Sequence, residues 1–156
     1  KFTPSAGVGG HCIPVDPTYL AAKAEELGAP ATFIRHANDV NIKMAEYVVD
    51  RVIKDNDDSI KNKNILIVGV AYKPNVADVR ETAAEFVIEH CRAKGALVTW
   101  HDELVKTWNG ESSSSLSGAD ITIVLTKHDS VNLDAIRNSA PYVFDTTGKV
   151  DGVTAF

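Results

Sequence analysis

From residue 64 onward, short apolar runs alternate with helical patterns, and this alternation limits the chain to few folds. NILIVGVAY (64–72), ALVTWH (96–101), DITIVLT (120–126) and YVFD (142–145) read as buried strands. Glu81 to Lys94, ended by Gly95, reads as an amphipathic helix, and Asn132 to Asn138 as a short one. A helix between successive strands carries the chain back to the starting edge, so the strands run parallel with right-handed crossovers. The expected fold is α/β, a Rossmann-like parallel sheet with flanking helices. The Ser-rich stretch WNGESSSSLSG (108–118) reads as a mobile loop.

The first third follows another pattern. Residues 1 to 16 are rich in Gly and Pro and read as a loop. Asp16-Pro17 reads as a helix N-cap followed by proline at the first helical position, and Tyr19 to Leu27 as a short helix stopped by Gly28. Pro30 opens a long helix reaching about Lys54, with an apolar stripe of Phe33, Ala37, Val40, Met44, Tyr47, Val48 and Val52. A stripe of that length needs a partner, either the domain's own core or a second copy of the chain. Asp55 to Asn64 is polar and reads as a linker. Two segments are therefore expected, 1–57 and 64–156.

The bulk properties exclude several classes. The net charge is −5 and no basic run stands out, so neither a nucleic acid nor an anionic membrane surface is an expected partner. No apolar run reaches the length of a membrane span. Two cysteines, Cys12 and Cys91, make no disulfide framework, and a reducing, cytoplasmic setting is the simplest expectation. The chain begins at Lys1, with chemistry-bearing residues almost at once. It reads as a piece of a longer protein, with part of any active site outside it.

Those residues are GVGGHCIPVDPTYL (7–20). Glycines at 7, 9 and 10 let backbone approach a ligand closely. Cys12 lies just ahead of the expected helix start, where a helix N-terminus would favour the thiolate, a far better nucleophile than the thiol. Asp16 can cap the helix, act as a base near the sulfur, or do both. The competing readings are a small buried apolar Cys12 and a purely capping Asp16. His11 and Cys12 are adjacent and have no second Cys/His cluster nearby, so no metal is expected. Cys91 falls within a helical pattern and reads as structural. His36, His90, His101 and His128 have no readable link to Cys12.

The loop after the first strand, GVAYKP, has Gly69 but not the G-x-G-x-x-G fingerprint, so independent dinucleotide binding by this segment is not expected. Asp102, after the second strand, could still mimic a ribose-binding acid. Lys73 and Arg80 flank Asp78. Either cation could meet a diphosphate, and Asp78–Arg80 could equally be a surface ion pair.

GVGGHCIPVDPTYL resembles the active-site loop of the UDP-glucose/GDP-mannose dehydrogenase family. Its GGHCIPVDP form is similar to the branch oxidising UDP-N-acetylhexosamines, with N-acetyl-D-mannosamine or N-acetyl-D-glucosamine as the sugar. NDVNIKMAEYVV resembles the family's central dimerisation helix, GVAYKPNVADVRET its nucleotide-sugar loop, and ADITIVLTKHD its third C-terminal strand. The resemblance spans nearly the whole chain.

It implies an NAD-dependent oxidation of a primary alcohol to a carboxylate, two NAD per sugar, through a thiohemiacetal and a thioester on Cys12. Asp16 would assist the hydrolytic water. Thr3, Gly7, Val8, Gly9, Tyr72 and Lys73 would contact the substrate. Cys12, Ile13, Pro14, Val15 and Arg80 would border NAD, which the family's N-terminal domain, absent here, mainly holds. The fragment alone would then be inactive, and a homodimer would form through the long helix. The sequence departs from the family at DTTG (145–148), where Thr147 stands in the place of a frequent arginine, and SAGVGG replaces the commoner GPGVGG. Two rival classes remain at this point, a non-catalytic nucleotide-sugar-binding and dimerisation module and a thiol enzyme such as an acyl transferase.

Overall fold

The computed structural model describes residues 5–156. Two helices come first, α1 (Cys12–Glu26) and α2 (Thr32–Asp55). The α/β unit follows as β1 (Asn64–Val68), α3 (Ala83–Ala93), β2 (Leu97–His101), a hairpin of β3 (Thr107–Trp108) and β4 (Glu111–Ser112), β5 (Ile121–Val124), α4 (Leu133–Arg137), β6 (Tyr142–Asp145) and β7 (Thr154–Ala155). Five strands form one sheet in the order β2-β1-β5-β6-β7, every neighbour parallel. This is the Rossmann-like α/β architecture expected from the strand–helix alternation.

The central strands β1, β5 and β6 bury both faces, and their residues divide with a period of two. Ile65, Ile67, Ile121, Ile123 and Phe144 join the cluster under α2 and α3, whereas Leu66, Val68, Val124 and Val143 join the cluster under α4. The first cluster is continuous from Ala6 through Ala45, Val48, Val49 and Val52 of α2 into the sheet. Each of those valines is fully enclosed, worth roughly 1.5–3 kcal/mol of burial apiece. Thr82 caps α3 by accepting the N–H of Ala84, and Asn132 caps α4 by accepting those of Asp134 and Ala135.

Several local expectations are corrected. The first helix begins at Cys12, with His11 at its cap, and not at Asp16-Pro17. Pro14 sits in the first turn, where backbone N–H groups have no helical partner, so it costs nothing there. Pro17 lies inside the helix and removes one bond, while the Thr18 hydroxyl returns to the Pro14 carbonyl. The strand expected over 64–72 stops at Val68, because Gly69 turns away with φ +83°. On α2 the buried face is Ala45, Val48, Val49 and Val52, and Phe33, Ala37, Val40 and Tyr47 of the expected stripe are exposed.

The Ser-rich stretch is tied down by its own hydroxyls. Ser113 Oγ accepts from the Asp102 N–H and donates to its carbonyl, both at 3.0 Å, and Ser114 donates through N–H and hydroxyl to the Trp100 carbonyl. Trp108 packs edge-on against Trp100 at 6.1 Å. The segment 55–64, expected as a polar linker, buries Ile60 and bonds Asn62 N–H to the Gly95 carbonyl at 2.9 Å. Among the described residues no helix is long and apolar enough to cross a membrane.

Candidate active site

The chain leaves β1 towards β2 on one side of the sheet and returns to β5 on the other. The two strand ends therefore diverge, and a crevice opens beyond the paired termini Val68 and Val124. Gly69 makes the turn possible. A Cβ there would lie 1.9 Å from the Thr126 carbonyl oxygen, so the loop crosses the end of β5 with no room for a side chain. The cavity of about 490 Å³ at this point takes Tyr72 and Lys73 from the β1 loop, and Thr147 and Lys149 from the β6 loop. Its other wall is the glycine loop Gly7–Gly10 with Cys12 and Ile13 at the start of α1.

The two walls are interlocked. The Gly10 N–H donates to the Arg80 carbonyl at 3.0 Å. A Cβ on Gly9 would meet the Glu81 carbonyl oxygen at 2.4 Å and Tyr72 Cβ at 2.9 Å. On the far side, Asn41 of α2 grips Val8, accepting its N–H at 2.7 Å and donating to its carbonyl at 3.1 Å.

Two buried aspartates organise the rims. Asp102, 1% exposed at the end of β2, accepts the N–H groups of Val70, Ala71, Leu104 and Val105 at 2.9–3.1 Å. It is therefore spent on backbone and not free for a ribose hydroxyl, the role open to it by sequence. Asp145, fully buried at the end of β6, accepts from Thr147 N–H and Oγ1 and from the N–H groups of Lys149 and Val150, at 2.7–2.8 Å. That clasp sets Thr147 and Lys149 on the cavity wall.

Burial disfavours the Asp102 carboxylate most strongly. Hydrogen bonds from Val105, Ala71, Leu104 and His128 together outweigh it and hold the carboxyl below its ordinary value of 3.8. A depressed folded value means that this stabilisation is complete above pH 3.8 and is lost as the pH falls through the lower folded value. The expected result in an acid titration is unfolding below about pH 4, with Asp102→Asn already destabilised by about 2–3 kcal/mol at neutral pH. An Asp102→Asn variant as stable as the parent at neutral pH would contradict this.

Among the described residues no carboxylate lines the cavity, whereas Lys73, Arg80 and Lys149 do. In a chain of net charge −5 this is a local reversal of sign, suited to an anionic ligand. Arg80 and Asp78 form the ion pair weighed as an alternative, with Nη2–Oδ2 at 2.6 Å. The Arg80 hydrogen bond holds the Asp78 carboxyl down at about 2. The same pair raises Arg80, to which Tyr72 and Cys12 add smaller contributions. The guanidinium is 63% exposed and keeps donors for a ligand. Lys73 Nζ lies 5.1 Å from the Tyr72 ring centroid, a cation–π contact.

Cys12 is an exposed free thiol at the first residue of α1, where unpartnered N–H groups concentrate positive partial charge. Asp16 is one turn further on, exposed, and off the cavity wall. Gly7, Val8, Gly9, Tyr72, Lys73, Cys12, Ile13 and Arg80 all meet at the cavity. Pro14 faces a smaller adjoining recess beside Asn41, Val15 lines neither, and Thr3 lies outside the described residues. Cys91 is buried in α3, which pushes its thiol up to about 12, as befits a structural residue.

Sequence reasoning missed Asn41, Asp145 and His128. An aspartate ending a buried strand, as in YVFD and VTWHD, was the one available signal for the clasps. Asn41 and His128 act across 33 and 53 residues of chain, which no local pattern reports.

The residues fit one edge of NAD and not the whole molecule. Exposed Ile13 and Arg80 beside Cys12 offer an apolar border and a cation. The β1 turn is filled by Thr126, and Asp102 is buried, so the sheet itself offers no dinucleotide cradle.

Two family models match this sequence. The UDP-glucose/GDP-mannose dehydrogenase family, UDP binding domain, matches residues 66–152, and the central domain of that family matches residues 1–43. The UDP-N-acetyl-D-mannosamine dehydrogenase of Methanococcus maripaludis (strain C7) is 36% identical over 157 residues, covering 93% of this chain and 36% of that protein. The chain thus spans about a third of the length of the curated relatives it matches. A solved UDP-D-ManNAc dehydrogenase from Pyrococcus horikoshii superposes with TM-score 0.76 at 26% identity, over 99% of this chain and 39% of that one. An NDP-N-acetyl-D-galactosaminuronic acid dehydrogenase from Methanosarcina mazei Go1 gives 0.78 at 26% identity, over 93% and 35%.

Proposed function

Because the chain belongs to the UDP-glucose/GDP-mannose dehydrogenase family, we propose that its parent protein oxidises the 6-hydroxymethyl group of a UDP-N-acetylhexosamine to a carboxylate. UDP-N-acetyl-D-mannosamine is the first candidate, by likeness to the relatives named above. The observation that carries this reading is the convergence, among the described residues, of an exposed Cys12 with Lys73, Arg80 and Lys149 on one cavity that no carboxylate lines. In this reading residues 1–57 bring the cysteine loop and central helices, residues 64–156 bind UDP, and a further domain outside this chain holds most of NAD. The setting is cytoplasmic.

NAD, when bound, accepts the hydride at each of the two oxidations. This chain supplies substrate contacts, the nucleophile and one border of the cofactor. Lys73 and Tyr72 hold the nucleotide sugar, with the glycine loop Gly7–Gly9 against the sugar. Cys12–Val15 and Arg80 border the cofactor. The Cys12 thiolate adds to the aldehyde carbon left by the first oxidation and forms a C–S bond, and the carbonyl oxygen takes a proton to give a thiohemiacetal. This restores a tetrahedral, hydride-donating carbon and keeps the aldehyde from escaping. The second oxidation leaves a thioester. Water, assisted by Asp16 one turn along the helix, attacks the acyl carbon; the C–S bond breaks, the carboxylate leaves and the thiolate is regenerated.

The test is a count of NADH formed by the full-length parent across a panel of UDP-sugars. Two NADH per UDP-N-acetylhexosamine are expected, and none from this chain alone. One NADH per sugar, or activity only with other nucleotides, would overturn the reading.

The exposed Phe33, Val40 and Tyr47 on α2, with Tyr19 and Leu20 on α1, support a homodimer through the central helix. A dimeric mass by light scattering is expected; a monomeric mass at high concentration would refute it.

A further inference from the structure

The segment Thr126–Asp129 (TKHD) follows β5, and its last three residues have no task in the reaction described above. The structure fastens the β1 loop to it at several points. The Thr126 hydroxyl donates to the Ala71 carbonyl at 2.7 Å. Asn75, held at φ +64°, donates through its side chain to Asp129 at 2.9 Å and accepts the Asp129 N–H at 3.0 Å. His128 is 2% exposed. Its Nδ1 accepts the Asn75 N–H at 2.8 Å, and its Nε2 lies 3.1 and 3.2 Å from the two Asp102 oxygens.

These contacts assign the proton. Nδ1 faces a backbone N–H and must present a lone pair, so the neutral ring carries its hydrogen on Nε2 and donates it to Asp102. A second proton on Nδ1 would set donor against donor. The His128–Asp102 contact is therefore a hydrogen bond to a carboxylate rather than a pair of full charges.

The loop is thus held at both ends by one buried unit. Asp102 takes the N–H groups of Val70 and Ala71 at its start, and His128 takes that of Asn75 at its end. Tyr72, Lys73 and Pro74, all on the cavity wall, are the residues between the two clamps. We propose that His128 is a positioning residue for the anion-binding cavity: its Nδ1 fixes Asn75, and through it Tyr72 and Lys73, while its Nε2–H anchors the ring to Asp102. The proposal rests on the reading of this cavity as a UDP-sugar site.

Two substitutions separate the two functions of the ring. The amide oxygen of His128→Asn reaches the place of Nδ1 and keeps the acceptor for Asn75. The amide nitrogen of His128→Gln reaches the place of Nε2 and keeps the donor for Asp102. Three quantities are read on this chain for wild type, His128→Asn, His128→Gln and His128→Ala: UDP affinity by calorimetry, Tm, and hydrogen exchange at the Asn75 amide.

The expected result is a crossover. His128→Asn keeps UDP affinity within about threefold and a protected Asn75 amide, although its Tm falls. His128→Gln holds Tm nearer wild type yet binds UDP about tenfold more weakly, with a fast-exchanging Asn75 amide. His128→Ala loses both, and if it does not fold, the His128→Asn and His128→Gln variants still decide. Affinity that follows Tm across the variants, or that is unchanged in His128→Ala, overturns the proposal. If the wild-type chain fails to bind UDP, the cavity reading falls and exchange alone decides. An Asn75 amide protected in His128→Asn but not in His128→Gln supports positioning; equal exchange in both refutes it.

Discussion

Alanine at Cys12 is expected to lower NADH formation by the full-length parent roughly a thousandfold or more, with UDP affinity unchanged within about twofold. The asymmetry follows from where the sulfur sits. Cys12 is exposed, lines the cavity, and makes no side-chain hydrogen bond among the described residues, so its removal leaves the walls in place. The cations Lys73, Arg80 and Lys149 and the interlocked glycine loop stay as they are. What disappears is the atom that would hold the aldehyde through its second oxidation. Stopped-flow fluorescence of NADH together with calorimetry of UDP binding would separate the two quantities. Near-normal turnover in the alanine variant would rule out covalent catalysis, and a parallel collapse of UDP binding would assign Cys12 a structural role.

Gly69→Ala is expected to destabilise the chain by about 3–5 kcal/mol, one of the largest single-residue effects available to it. Two penalties combine. The backbone at φ +83° is one that side-chain-bearing residues rarely adopt, and the new Cβ would overlap the Thr126 carbonyl oxygen at 1.9 Å. Backbone cannot yield as a flexible side chain would, because Thr126 is itself bonded to Ala71 and to β1. Gly110→Ala is the control. Its φ is +79°, but nothing lies within 4 Å of the added carbon, so only the conformational cost of about 1 kcal/mol remains. Urea titrations of the two variants measure the difference. Equal destabilisation would show that the crossing over β5 is looser than described.

Much of the fold was legible because burial on both faces leaves a plain mark. YVFD coincides with β6, and ITIV of the third run is β5 in full. What was misread turned on local signals that tertiary contacts override. Asp16-Pro17 is a sound helix start in isolation, yet the helix begins five residues earlier, because Pro14 is harmless in a first turn. GVAY continues the apolar pattern of β1, but Gly69 turns the backbone out of the sheet. β7 has two residues and no apolar run to announce it.

The site divides in the same way. Cys12, Tyr72, Lys73 and Arg80 stand in two short motifs, and the structure brings them to one cavity. Asp102 was visible as an acid after a strand, but besides His128 its partners are backbone N–H groups, which carry no sequence signature. His128 pairs with residues 26 and 53 positions away, and only the folded sheet brings them together.

The contact between Gly9 and Tyr72 bears on how such enzymes can be recombined. A chimaera joined in the segment between α2 and β1 would take one wall of the cavity from each parent. Those walls meet at backbone separations that tolerate no added carbon, and Gly10 bonds to Arg80 across the seam. The shape of the cavity is therefore not a portable property of the α/β unit. Grafts that carry residues 7–12 and 69–81 together should remain soluble and bind, whereas those that exchange either stretch alone should inherit a mismatched seam.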